Sequence, residues 1–160
     1  MRATPLILLV LATSGCSGAV EVATPDTVDA ASAEICEDLE AALPEKVSGQ
    51  DSRETDPESA LTAAWGDPAI VVRCGVPPPA ALQPTSQLTS VNGVDWFAED
   101  LTGGYLFTTY GRLPYVEVTV PDEYSPQVGP VAELSAAVAE TVPLEGAPAP
   151  APSADLTTSP

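Results

Sequence analysis

Three cysteines carry the most specific chemistry in this sequence. Cys16 follows a short apolar run and the small pair Ser14-Gly15, behind a single basic residue, Arg2. A basic start, a brief apolar stretch and small residues before the cut are typical of a secretory signal. A cysteine directly after the small pair is the pattern of a bacterial lipoprotein signal, in which the thiol receives a diacylglyceryl group. The sequence therefore predicts a lipoprotein signal peptide over residues 1–15 and lipidation of Cys16.

The apolar run also limits how the chain can meet a membrane. It is shorter than the roughly 20 apolar residues that a spanning helix needs, so anchoring would depend on the lipid on Cys16. The predicted location is outside the cytoplasm, at the outer face of the cell membrane. The alternative is cleavage after Ser14 by the general signal peptidase, which would leave Cys16 as a free or paired thiol.

If Cys16 is lipidated, two of the three cysteines remain, Cys36 and Cys74. In an exported protein such a pair is expected to form a disulfide. A metal site would need further ligands and a catalytic cysteine usually needs a histidine as its base, but the chain contains no histidine. The sequence therefore predicts a structural disulfide, with no metal and no cofactor.

The charge balance argues against several partners. The sequence contains five Lys or Arg residues and 23 Asp or Glu residues. Removal of the predicted signal peptide would remove Arg2, so the mature chain would have a net charge of 4 minus 23, which is −19. Nucleic-acid binding is not expected, because its affinity depends on neutralising phosphates with Lys and Arg. No loop of the D-x-D-x-D-G type is present, so calcium binding has little support either.

Carboxylates are the remaining candidates for catalysis. Without histidine, the common serine and cysteine triads are excluded. A pair of carboxylates, as in glycoside hydrolysis, would have to come from Asp67, Asp95, Glu99 and Glu117. A chain with this many acidic residues contains such pairs by chance, so the protein is not expected to be an enzyme. A carboxylate-based cell-wall hydrolase stays open as an alternative.

Two arginines, Arg73 and Arg112, offer binding rather than catalysis. Arg73 lies in a run that is apolar on both sides, so it is expected to be partly buried and paired with Asp67, Asp95 or Glu117. Alternatively, both guanidinium groups hold one small anionic ligand. Five aromatic residues are expected mainly in the core, with a groove for sugar or peptide as the alternative: Trp65, Trp96, Phe97, Tyr105 and Tyr110.

Apolar spacing and capping signals predict three helices. The first covers residues 29–43 and ends before Pro44. The second, a short helix, begins at Asp56-Pro57-Glu58 and stops at Gly66, a natural C-terminal cap. The third lies near residues 130–142.

Five strands are predicted between the second and third helices. Two of them flank Asn92-Gly93, a pair typical of a tight hairpin. The expected strands cover residues 69–74, 87–91, 94–97, 105–110 and 115–120. Strands and helices do not alternate regularly. The predicted fold is therefore α+β, a single domain with a mostly antiparallel sheet of about five strands and with helices packed on one face.

The predicted domain covers residues 29–143 and has a segment on either side. Residues 16–28 lack a long periodic pattern and are expected to form a flexible tether. Residues 144–160 are rich in alternating Ala and Pro and are expected to form an extended, disordered tail. Within the domain, the disulfide would join the first helix to the strand that carries Cys74.

Three strings in this order resemble the domain-of-unknown-function 3515 family, an actinobacterial family of exported proteins. The strings are Trp65-Gly66-Asp67-Pro68-Ala69-Ile70-Val71-Val72-Arg73-Cys74-Gly75-Val76, Val91-Asn92-Gly93-Val94-Asp95-Trp96 and Thr109-Tyr110-Gly111-Arg112. The resemblance covers about residues 30–143 and implies an envelope protein, often lipidated, with no assigned activity. Together with the signal, it favours a membrane-anchored, non-catalytic interaction or structural module with an envelope protein partner.

Overall fold

The computed structural model describes residues 18–146. The predicted signal peptide over residues 1–15, Cys16, Ser17 and residues 147–160 of the predicted tail lie outside the described residues. The helices are α1 (Ala30–Ala42) and α2 (Val128–Thr141). The strands are β1 (Val20–Glu21), β2 (Lys46–Val47), β3 (Gln50–Arg53), β4 (Thr55–Asp56), β5 (Thr62–Trp65), β6 (Ile70–Val76), β7 (Leu88–Val91), β8 (Val94–Leu101), β9 (Gly104–Tyr110) and β10 (Tyr115–Pro121).

Eight of these strands form one antiparallel sheet in the order β2-β3-β5-β6-β10-β9-β8-β7. The α+β class is correct, but the expected number of about five strands is too low. The strands that the sequence did not reveal in this sheet are β2, β3 and β5, each only two to four residues long. Such short strands show too few alternations of apolar and polar residues to be recognised.

The predicted short helix at residues 56–65 is wrong. In this segment β4 ends at Asp56, and residues Thr62–Trp65 form β5. β5 pairs with β3 on one side and with β6 on the other. Pairing on both edges and the burial of Trp65 outweigh helix preferences of less than about 1 kcal/mol per residue. Gly66 has φ 73° and closes a turn instead of capping a helix. A Cβ there would lie 2.5 Å from the Tyr124 hydroxyl.

Both helices pack on the same face of the sheet and contact each other. Alternate residues of β6 and β10 are buried between the sheet and the helices, since side chains on a strand point to opposite faces in turn. These core residues are Ile70, Val72, Cys74, Val116, Val118 and Val120 from the sheet, with Cys36, Leu39, Val131, Leu134 and Val138 from the helices. Neither described helix has the length and apolarity to cross a membrane. Neither α1 nor α2, the two α-helices of residues 18–146, packs on the opposite face of the sheet, which we call the helix-free face.

The segment predicted as a flexible tether is partly built into the fold. β1 pairs in parallel with β4, with Val20 opposite Thr55. The Val20 N–H donates to the Glu54 carbonyl at 2.8 Å, and Val22 is only 5% exposed. A two-residue strand gives no recognisable period, so its partner decides its structure. Residues 20–22 therefore belong to the domain rather than to the predicted tether.

Candidate functional site

A disulfide joins Cys36 of α1 to Cys74 of β6, which confirms the predicted pairing. The Cα atoms are 5.7 Å apart, and both residues are buried in the core. The bond fixes the first helix to the central part of the sheet. The third cysteine, Cys16, lies outside the described residues, so its predicted lipidation stays a prediction.

Arg73 forms an ion pair with Glu117 on the helix-free face. The two residues are direct partners across β6 and β10, and Arg73 Nη1 lies 2.7 Å from Glu117 Oε1. The arginine side chain is 29% exposed and the glutamate side chain 14%. Glu117 is one of the three carboxylates that the sequence offered as partners. The guanidinium group is therefore already engaged within the domain.

Arg112 has a different environment and a different role. It is 7% exposed and donates hydrogen bonds to the backbone carbonyls of Val142 and Gly93. Carbonyls at the C-terminal end of a helix lack intrahelical partners, and a cation there is favourable. Arg112 thus ties the end of α2 to the β7–β8 turn. Among the described residues it shares no hydrogen-bond partner with Arg73, so the protein holds each of the two guanidinium groups separately.

The four candidate carboxylates lie on two strands and in one turn. Asp67 is exposed in the β5–β6 turn, and Glu117 is bound to Arg73. Asp95 and Glu99 lie four residues apart on β8, about 13 Å along the strand. Glu99 on β8 and Glu117 on β10 have β9 between them, so their two strands are about 10 Å apart across the sheet. Glycoside hydrolysis requires two carboxyl groups roughly 5 to 9.5 Å apart, and one of the four, Glu117, is already paired with Arg73.

The aromatic residues divide between the core and the surface. Trp65 and Trp96 are buried, and their indole N–H groups donate to the Pro44 carbonyl at 3.0 Å and to Ser135 Oγ at 3.1 Å. They therefore cannot line a surface groove. Tyr105 packs against the core. Phe97 and Tyr110 lie elsewhere, on the helix-free face.

Phe97 and Tyr110 belong to a surface that sequence reasoning missed. Leu88 is opposite Phe97 in the β7–β8 pairing. On β9 the direct partner of Phe97 is Thr108, and Leu106 and Tyr110 lie diagonally on either side of it. Tyr110 is 46% exposed and Leu88 37%. We call these four residues the apolar strip. Only the register of β7, β8 and β9 reveals it, because its members are far apart in the sequence.

A cleft of about 400 Å³ opens between the end of α1 and strands β3, β4 and β5. Its glutamates are Glu40, Glu45, Glu54 and Glu58. Arg53 also lines it but donates to the carbonyls of Gly66 at 2.8 Å and Gly18 at 2.6 Å. Within residues 18–146, no three metal-ligating side chains come together. The cleft is therefore acidic, but its glutamates do not converge as a group of three.

Three titratable groups have shifted pKa values. A hydrogen bond with Asp100, together with the charge of Asp100, raises the pKa of Tyr105. Burial, followed by the charge of Asp67, raises the pKa of Tyr124. Hydrogen bonds from Ser32 at the start of α1 lower the pKa of Asp29. All three lie outside the acidic cleft and the apolar strip, so each shift is explained by local structure.

Comparison with known proteins gave one match. The model of the family described as "Protein of unknown function (DUF3515)" matches residues 3–155, nearly the whole chain. Searches of curated proteins and of solved structures found no match. All three strings that suggested this resemblance lie within the matched range. The chain therefore belongs to the DUF3515 family of proteins of unknown function.

Proposed function

We propose that this protein is an exported lipoprotein, anchored through Cys16, whose acidic domain acts as a non-catalytic interaction module at the outer face of the cell membrane. The Cys36–Cys74 disulfide carries the first part of the proposal. Disulfides form and persist outside the reducing cytoplasm. Their pairing leaves Cys16 as the one remaining cysteine of the sequence, placed where a lipoprotein signal requires it.

The second part rests on the apolar strip. Leu88, Phe97, Leu106 and Tyr110 lie on a sheet face that no described helix covers. Apolar side chains grouped on a surface are typical of sites for protein partners. Of the candidate catalytic carboxylates, Glu117 is already paired with Arg73. An envelope protein that covers the strip is therefore the partner we propose.

Lipidation is tested by mass spectrometry of the protein from the native membrane fraction. We expect a mature chain that begins at Cys16 and carries a diacylglyceryl group, and the Cys16→Ser variant should lose both the modification and the membrane association. A mature protein recovered without acyl mass would refute the anchoring.

Partner binding is tested by crosslinking and affinity capture in native envelopes. The variant Leu88→Glu/Tyr110→Glu places two charges on the apolar strip and should lose a specifically captured protein. Val128→Glu is the matched control, because Val128 is similarly exposed at 40% but lies on α2. Capture unaffected by the strip variant would contradict this surface. Wall-hydrolysing activity that one carboxylate substitution abolishes would overturn the non-catalytic role.

A further inference from the structure

We propose that the anchor holds the domain against the bilayer in one orientation, with the β5–β6 and β8–β9 turns toward the lipid headgroups. The β9–β10 turn, beside which the described residues end at Gly146, then faces away from the membrane. This inference rests on the proposed lipidation of Cys16. It adds which end of the domain meets the lipid.

The connection between anchor and fold is very short. Only one residue separates Cys16 from Gly18. Arg53 Nη2 donates to the Gly18 carbonyl at 2.6 Å, and β1 begins two residues later at Val20. Two residues of extended chain span at most about 7 Å. The lipid would therefore be attached close to the surface of the domain, rather than at the end of the predicted flexible tether.

Gly18 lies at one end of the sheet, which we call the anchor end. Arg53 binds the carbonyls of both Gly18 and Gly66, so Gly18 lies beside the β5–β6 turn. The β8–β9 turn lies at the same end of the sheet. It is followed by Gly104, which pairs with Leu101 on β8 and with Pro121 at the end of β10. The end of β10 lies beside the start of β6, because Thr119 pairs with Val71. A short 3-10 helix, Asp122–Tyr124, follows at this end, and the Tyr124 hydroxyl donates to the carbonyl of Pro68.

The chain leaves the domain at the other end of the sheet. The Glu145 N–H donates to the Gly111 carbonyl at 2.8 Å, and Leu113 donates to Pro143. Gly111 and Leu113 belong to the β9–β10 turn, which lies opposite the anchor end. β6 is seven residues long, so about 23 Å of sheet separates the two ends. The tail would thus start well above the lipid.

Charge cannot produce this orientation. The anchor end carries Asp67, Asp122 and Glu123, and its exposed cation, Lys46, is paired with Asp51. Its exposed large apolar residue is Leu101, at 45%. Anionic headgroups would repel these carboxylates, with a range of about 8 Å at physiological salt. The orientation must therefore come from the short connection, and it should persist on uncharged lipid and at high salt.

The test uses the mature chain from Cys16 to Pro160, with the Cys36–Cys74 disulfide intact. The free thiol of Cys16 is coupled to a maleimide lipid in phosphatidylcholine vesicles. A photoreactive benzoylphenylalanine replaces either Thr102, at the anchor end, or Leu113, at the opposite end; both side chains are exposed. We expect at least fivefold more lipid adduct from position 102 than from position 113. Equal yields, or more adduct from position 113, would overturn the proposal.

The control lengthens the connection. About 20 Gly and Ser residues inserted between Ser17 and Gly18 add an average reach of about 25 Å. The difference between positions 102 and 113 should then disappear. If it persists, the surface and not the connection orients the domain, and the proposal is wrong. Because coupling supplies the anchor chemically, this result is independent of whether cells lipidate Cys16, which the mass of the native protein decides.

Discussion

Replacing Arg73 with alanine would leave the Glu117 carboxylate, only 14% exposed, without its cation. We expect this change to lower the free energy of unfolding by about 2 kcal/mol. Exposed ion pairs contribute about 0 to 1 kcal/mol, whereas breaking a buried pair costs about 3 to 5 kcal/mol. The Arg73–Glu117 pair lies between these cases, because its arginine retains considerable contact with water at 29% exposure.

The magnitude follows from opposing contributions. Two unit charges about 4 Å apart attract by about 4 kcal/mol at an effective dielectric constant of ~20. Removing both groups partly from water offsets most of this attraction. We therefore expect a net coupling of about 1 kcal/mol between the side chains. Loss of packing by the arginine stem accounts for the rest of the Arg73→Ala effect.

The assay is urea unfolding of Arg73→Ala, Glu117→Ala and the double variant. Their double-mutant cycle isolates the coupling of the pair. Thr119→Ala is the control, because Thr119 is a partly exposed neighbour on the same face of β10 and has no charge. It should cost about 0.5 kcal/mol or less. A coupling below about 0.3 kcal/mol would refute the reasoning, and Arg73 would then be free for a role at the surface.

Three further predictions concern stability. Arg112→Met keeps a long side chain but removes two hydrogen bonds to backbone carbonyls, so urea unfolding should show a loss of about 2 to 3 kcal/mol; an unchanged midpoint would contradict this role. Removing the Cys36–Cys74 bond, with a sequence separation of 38, should cost about 3 to 4 kcal/mol and lower the Tm; equal Tm values with and without reductant would count against it. Burial raises the pKa of Tyr124 above its ordinary value of 10.0, so folding favours the protonated phenol. The contribution of the protonated Tyr124 to the free energy of unfolding should be complete below pH 10 and disappear as the pH rises through the folded-state pKa. Because phenylalanine does not titrate, the Tyr124→Phe variant should lose less stability at alkaline pH.

Features encoded by neighbouring residues could be predicted from the sequence. The first helix is expected at residues 29–43 and is observed at Ala30–Ala42, because its apolar period is long enough to detect. The Asn92-Gly93 hairpin is also confirmed, with φ of 49° and 80° at the two turn residues. The disulfide is predicted from the even number of cysteines left for pairing and from the export that the signal pattern indicates. Each of these features depends on local chemistry or on simple counting.

The tertiary structure decided what depends on distant partners. β1, β2, β3, β4 and β5 have two to four residues each, too short to specify their own conformation, so strand pairing determines them. The same applies to the roles of charged groups, because Arg73 faces Glu117 across two strands whereas Arg112 reaches the end of α2. The sequence by itself determined the pattern of the signal, the pair of cysteines available for a disulfide, and the helices and strands long enough to show an apolar period. The register of the sheet and the placement of the chain ends were settled only by folding, because they depend on contacts between residues far apart in the chain.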